Sequence, residues 1–397
     1  MRVKLAGVLT SRRRWGQLFV GAAVVGVLAL AVSAVGVVPT VPWTGISTGP
    51  ADAYPERVDK PYVVRDLPAQ PGALAGVVQS SGGSWYAVTP RGRLWRIAGL
   101  DDRFDVAPTL SADGRTLAYL HTSANGFGEY VVHDLVKGVE TAFEDVGAPA
   151  VDSTAPFWAA GQSPAYLSPD GDQVLLPGGR SEGRDPDALV LTVGGGVQEV
   201  YVAGQAWPAG WLSDGRIAWL APGPEPELVV TTTTGSELGR ARIRLDGPLR
   251  LSQWSARLSP DAEALVLSGE SGADRVVARV AAADWREAER TTVPADVYVD
   301  TCLPTWRGRQ VLVPTAAGLA DLEDSDRATI VVDERLEPLC SVWAQQAIDG
   351  EVHTGLGGRL FGTSDASWTW RWREVAAALL LGLAALGVWL GRRPSDG

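Results

Sequence analysis

Through the middle of this chain the apolar residues come in short runs bounded by Gly, Pro, Asp or Ser, and the runs show no helical period. Thr116-Leu-Ala-Tyr-Leu120, Gln173-Val-Leu-Leu176, Arg216-Ile-Ala-Trp-Leu220 and Ala264-Leu-Val-Leu267 each follow a polar turn. Each is answered after a second loop by another run: Tyr130-Val-Val-His-Asp134, Ala188-Leu-Val-Leu-Thr192, Glu227-Leu-Val-Val-Thr231 and Arg275-Val-Val-Ala-Arg279. Such runs, rich in β-branched and aromatic residues, predict strands paired as hairpins. The turn before the first strand of each pair is nearly the same phrase: Leu110-Ser-Ala-Asp-Gly114, Leu167-Ser-Pro-Asp-Gly171, Leu212-Ser-Asp-Gly215 and Leu258-Ser-Pro-Asp261. The last three phrases start 45 and 46 residues apart, a spacing that suits one four-stranded blade of a β-propeller per repeat.

Six blades follow. The first runs from Leu74 to Leu100, the second begins at Ala107, the third at Pro164, the fourth at Pro208, the fifth at Ser255, and the sixth covers Leu303 to about Ile348. In the sixth the Asp-Gly pair is gone, and His353 to Phe361 is left to supply a closing strand. Residues 39–72 are rich in Pro and read as an extended linker, within which Tyr62-Val-Val-Arg-Asp66 is expected to add a strand. The order Ser-Pro-Asp-Gly, apolar strand, polar loop, Val-rich strand resembles the WD40-like repeat of TolB-type propellers over Leu74 to Phe361. That resemblance implies a six-bladed, non-enzymatic scaffold outside the cytoplasm that binds macromolecules or small ligands in or around its central channel.

The ends change the picture. No charged residue occurs from Trp15 to Ala51, and the run Val20 to Val38 follows the bases Arg12, Arg13 and Arg14, so a membrane helix is expected at 18–38. A cleaved export signal is the alternative, but its apolar region is usually shorter. A second helix is expected at 374–391, flanked by Trp370, Trp372 and Trp389; a buried core helix is the other reading. The expected order is therefore a basic cytoplasmic arm (1–17), a span (18–38), the linker (39–72) and the propeller (73–361). A juxtamembrane segment (362–373), the second span (374–391) and a cytoplasmic tail (392–397) complete it. Five bases precede the first helix, which predicts cytoplasmic termini and an extracytoplasmic propeller at the cell membrane. The fold class is thus an all-β, six-bladed propeller flanked by two single transmembrane helices.

With a net charge of −11 overall and +7 at the ends, the central region carries −18, which excludes a general nucleic-acid binder. Arg far outnumbers Lys, present only at Lys4, Lys60 and Lys137, a bias of GC-rich bacterial genomes. The acids Asp113, Asp170 and Asp214, each before Gly114, Gly171 or Gly215, and the related Asp261 invite a metal or catalytic reading. Their slot favours turn chemistry, in which Asp bonds its own backbone and Gly takes positive φ. Cys302 and Cys340 are the only cysteines; an export compartment allows a disulfide between them at ring closure, and separate buried thiols are the alternative. His121, His133 and His353 are scattered, so neither metal nor cofactor is expected. Gly161-Gln-Ser-Pro-Ala165 fails as a hydrolase elbow, which leaves Asp152, Asp185 and Asp187 as the loop acids to examine. Trp95, Trp158, Trp211, Trp219, Trp254, Trp306 and Trp343 are expected to wedge between blades, with a stacking surface for carbohydrate or peptide as the other use. No catalytic set emerges. The sequence therefore points to a binding or assembly module in the cell envelope with an envelope protein or glycan as partner. An envelope hydrolase with carboxylates at the channel mouth, or a sensor acting through a partner membrane protein, is the alternative.

Overall fold

The computed structural model describes residues 49–58, 65–98, 100, 106–122, 128–143, 146, 163–177, 186–204, 206–272, 274–293, 302–321, 329–334 and 340–353. These residues belong to one compact unit, Ile46–Asp365. Both expected membrane helices lie outside them, and among the described residues no helix is long and apolar enough to cross a bilayer.

The described strands form six antiparallel blades. Blade 2 runs Thr109–Leu110, Thr116–Thr122, Gly128–Asp134 and Val139–Phe143, from its inner to its outer strand. Blade 3 repeats the plan with Tyr166–Leu167, Gln173–Pro177, Ala188–Thr192 and Val197–Val200. Blade 4 uses Trp207–Trp211, Ile217–Ala221, Glu227–Thr231 and Glu237–Arg242. Blade 5 uses Arg250–Leu258, Ala264–Ser271, Asp274–Ala281 and Arg286–Val293. Blade 6 has Thr305–Arg307, Gln310–Thr315, Gly318–Asp321 and Thr329–Glu334, with Arg57–Val58 added in parallel outside them.

Side chains of a strand alternate between its two faces, and in a ring each face meets a different neighbour. Blade 5 shows this: Leu265, Leu267, Ala278 and Val280 pack with blade 4, while Val266 and Val277 pack with Trp306 and Val313 of blade 6. Burial on both faces explains why the middle strands are nearly continuous apolar runs. Outer strands lose the second neighbour. Glu237–Arg242 is almost wholly exposed and carries Glu237, Arg240 and Arg242, charges that discourage edge-to-edge pairing with other chains.

Blade 1 closes the ring and corrects the sequence reading. Its strands Gly76–Gln79, Trp85–Val88 and Leu94–Arg96 receive an inner strand from the far end of the chain, Cys340–Trp343, in register Trp343↔Gly76 to Cys340↔Gln79. Closure thus falls to Cys340–Trp343, and of the expected closing strand His353 to Phe361, His353 pairs with Pro55 in a parallel bridge of Ala53–Pro55 with Glu351–His353, while 354–361 lie outside the described residues. Glycine at position 76 is required by packing: a Cβ there would lie 2.7 Å from the Trp343 ring. The Pro-rich stretch is also partly ordered on the ring, as a strap. Ala51 N–H donates to Asp113 O (2.8 Å), the strap pairs onto blade 6 at Arg57–Val58, and Asp66 bridges to Arg96 at the edge of blade 1.

Candidate functional site

The repeated turns were the first candidates, and each proves to be satisfied within its own hairpin. In blade 2 the Ser111 hydroxyl donates to Asp113 Oδ1 (2.6 Å) and accepts from Thr116 N–H (2.9 Å), while Asp113 Oδ1 also accepts from Arg115 N–H (3.1 Å). Gly114 follows at φ 72°. Blade 3 repeats the pattern with Ser168, Asp170, Asp172 and Gln173, and blade 5 with Ser259, Asp261, Glu263 and Ala264. The hydrogen bond from Ser168 and that from Asp172 N–H hold the Asp170 carboxyl below the usual carboxylate range. For Asp261 partial burial pushes the other way, and the bonds from Ser259 and Glu263 N–H outweigh it.

Two turns depart from the phrase. In blade 4 the turn is shorter, with Gly215 N–H donating to Leu212 O (3.0 Å), so Leu212 occupies the slot that Ser111 and Ser168 fill elsewhere. Asp214 there is held down chiefly by its hydrogen bond with Arg216. In blade 5 Ala262 takes the glycine slot and is forced to φ 58°. The four carboxylates stay in separate blades and do not converge.

Cys302, just before blade 6, and Cys340, in the closing strand, are joined as a disulfide with Cα atoms 5.2 Å apart. Cys340 therefore belongs to blade 1, whereas the sequence reading put both cysteines in the last blade. Trp219 and Trp306 fill inter-blade cores, as does Trp343; Trp95 is only partly buried, under Arg93 (6.0 Å from its ring). Trp85 and Trp207 join the core without having been singled out. Trp158 and the Trp254 side chain lie outside the described residues, as do Asp152 and Asp185. Asp187 is engaged by its own blade, accepting from Val202 N–H at 2.7 Å. His133 Nε2 meets Ala69 O at 2.8 Å, a structural contact.

Where polar chemistry does gather is on the inner strands of blades 3 to 5. The buried Tyr166 leaves blade 3, passes Gly210 of blade 4, and shares its hydroxyl proton between Pro208 O (3.3 Å) and Ala256 O (3.2 Å). A Cβ at Gly210 would stand 3.8 Å from the Tyr166 ring, an ordinary contact, so it is the backbone at φ 136° that favours glycine there. Trp211 Nε1 donates to Tyr166 O at 2.8 Å and fixes the strand that carries it. Beside Ala256 stands Arg257, half-buried, its pKa lowered by burial against the attraction of Tyr166. None of Tyr166, Gly210 and Arg257 was chosen from sequence. A signal existed, since Tyr166 and Arg257 immediately precede Leu167 and Leu258 of the repeated phrase.

A second, outer groove lies between blades 5 and 6, lined by Val277, Arg279, Thr291, Arg309, Val311 and Asp321. Arg309 pairs with Glu263 (2.6 Å) and Arg279 with Glu289 (3.7 Å), so its charges are mixed and largely answered locally.

No family model and no curated protein matches the chain. Among solved structures, TolB from Acinetobacter baumannii is similar over 70% of this chain and 67% of its own, with 15% identity and a TM-score of 0.42. A nidogen/laminin complex is similar over 70% of this chain and 100% of its own, at 12% identity and TM-score 0.44. A putative TolB from Agrobacterium tumefaciens is similar over 64% and 80%, at 16% identity and TM-score 0.35. In fold the chain is a six-bladed β-propeller.

Proposed function

We propose that this protein is a membrane-anchored, extracytoplasmic propeller that serves as a binding or assembly module in the bacterial cell envelope. The observation that supports this best is the way the ring is tied at its ends. The first and last described strands, Ala53–Pro55 and Glu351–His353, pair with each other, and the strap also bonds to the turn of blade 2 and the outer strand of blade 6. A ring whose two ends leave from one place can be tethered by both without being pulled open. Such a body is a rigid platform, with its loops and inner strands free for a partner. The charge-free runs 18–38 and 375–390 supply the tethers in this reading.

The test is fractionation followed by a topology reporter. The full chain is expected to stay with membranes after alkaline carbonate, and a reporter that works only outside the cytoplasm is expected to be active when fused after Gly357. Release by carbonate would remove the anchoring, and an inactive reporter would remove the extracytoplasmic placement. Proximity cross-linking in native membranes then identifies the partner, and recovery of the propeller without a specific envelope component would count against the assembly role.

A further inference from the structure

We propose that the inner strands of blades 3 to 5 form an oxyanion site, in which Arg257 takes a carboxylate or phosphate group of a ligand entering the centre of the ring. Arg257 sits on the inner strand Arg250–Leu258, with its neighbours Ala256 and Leu258 turned into the core shared with blade 4. Its side chain therefore projects from the opposite face. There it has no hydrogen bond or ion pair among the described residues, in a region whose net charge is −18 and whose other arginines repeatedly find carboxylates. An enclosed guanidinium with five donors and no acceptor is costly, so such groups are normally paired or open to water.

Arg257 keeps partial access to water. Its side chain is only partly exposed, and burial lowers its pKa. A cation that is desolvated by its surroundings and yet reachable from one side is suited to a planar anionic group, which the guanidinium fork holds in two hydrogen bonds. Tyr166 lies close enough to Arg257 to interact with it electrostatically. Its hydroxyl proton is already committed to the carbonyls of Pro208 and Ala256, so it holds the inner strands apart at fixed spacing and leaves the anion to Arg257. On the adjacent inner strand, Thr305 is 2% exposed and its hydroxyl also lacks a partner. Two unsatisfied polar side chains on neighbouring inner strands mark this part of the ring as built around something besides its own core. The inference does not require the membrane anchoring.

The experiment measures phenylglyoxal modification of Arg257 in the full chain by peptide mass spectrometry, in Tris chloride, with added sodium phosphate or sodium acetate. Sodium chloride at matched ionic strength is the control. Either oxyanion, at about four times its dissociation constant, is expected to slow modification of Arg257 about five-fold while leaving the exposed Arg309 unaffected. Protection by phosphate alone names a phosphoryl ligand and by acetate alone a carboxylate. Equal protection by chloride, or none by either oxyanion, overturns the proposal. Arg257→Gln gives an independent reading: it is expected to abolish the oxyanion-induced rise in Tm without lowering Tm in oxyanion-free buffer. A loss of stability in that buffer would mean that the arginine is structural, and would also overturn it.

Discussion

Ring closure rests on one strand of four residues, Cys340–Trp343, and the disulfide to Cys302 determines how firmly that strand is held. The bridge spans 38 positions of sequence and encloses all of blade 6, so in the oxidised unfolded chain this whole blade is a closed loop. Loop-closure entropy for that length corresponds to about 4 kcal/mol of stabilisation. Unfolding a ring of about 300 residues carries an entropy near 0.6 kcal/mol per degree, which converts the loss of the bridge into a fall in Tm of about 6 °C.

The assay is calorimetry of the same chain, oxidised and then refolded and scanned in reductant, with free thiols titrated before each scan. The oxidised protein is expected to show no free thiol. The reduced protein is expected to keep the fold, because Trp343 over Gly76 and the four-residue register with Gly76–Gln79 remain. A Tm that moves by less than about 1 °C on reduction would refute the closure argument, since even a short loop is worth more than that. Free thiols in the unreduced protein would refute its premise.

Ala262→Gly is expected to stabilise by about 1 kcal/mol in urea denaturation, because the alanine stands at φ 58° in a slot that the other blades give to glycine. Gly114→Ala and Gly215→Ala are expected to differ: a Cβ at Gly114 would lie within van der Waals overlap of Leu74 O, whereas at Gly215 nothing lies within 4 Å and only the strain of φ 80° remains. The first should cost several kcal/mol and the second about 1; equal effects would sink the packing argument. Asp170 has its folded pKa lowered, so its stabilising contribution is present above the unfolded value of about 4 and disappears as pH falls through the folded one. Asp170→Asn should therefore lower stability at neutral pH and flatten its decline in acid, as followed by Tm against pH; an unchanged acid limb is the contrary result. Tyr166→Phe leaves Pro208 O and Ala256 O without their shared donor and is expected to cost about 1 kcal/mol, again read from urea midpoints.

The middle strands were legible because a propeller buries them twice. Gln173-Val-Leu-Leu176 and Ala264-Leu-Val-Leu267 have apolar residues on both faces, and a Ser-x-Asp turn marks where each begins. The closing strand was not, because Cys340-Ser-Val-Trp343 carries no turn phrase and its partner Gly76–Gln79 lies at the other end of the ring. The strap was hidden for a different reason. Ala53–Pro55 and Arg57–Val58 pair at edges, where proline is tolerated and no alternating pattern is needed. In blade 4, matching by letters aligned Ser213 with Ser111, whereas the shorter turn puts Leu212 in that slot. Arg257 escaped notice because a single arginine in a strand is ordinarily a solvent-facing residue.

What repeats and what varies along the inner strands bears on where a ligand would be chosen. Cross-strand register makes Thr109, Tyr166, Gly210 and Arg257 equivalent, opposite Ala118, Leu175, Ala218 and Val266 respectively. The residue after each is Leu110, Leu167, Trp211 or Leu258, apolar every time, as the inter-blade core demands. The position before it varies in chemistry although Thr109 and Tyr166 there are buried too. It holds a small hydroxyl, a large phenol, no side chain and a cation in four successive blades. Tyr166 donates its hydroxyl to Ala256 O and so fixes the backbone next to Arg257. The scaffold is uniform where blades meet and individual at this one inner-strand position in each of the four blades.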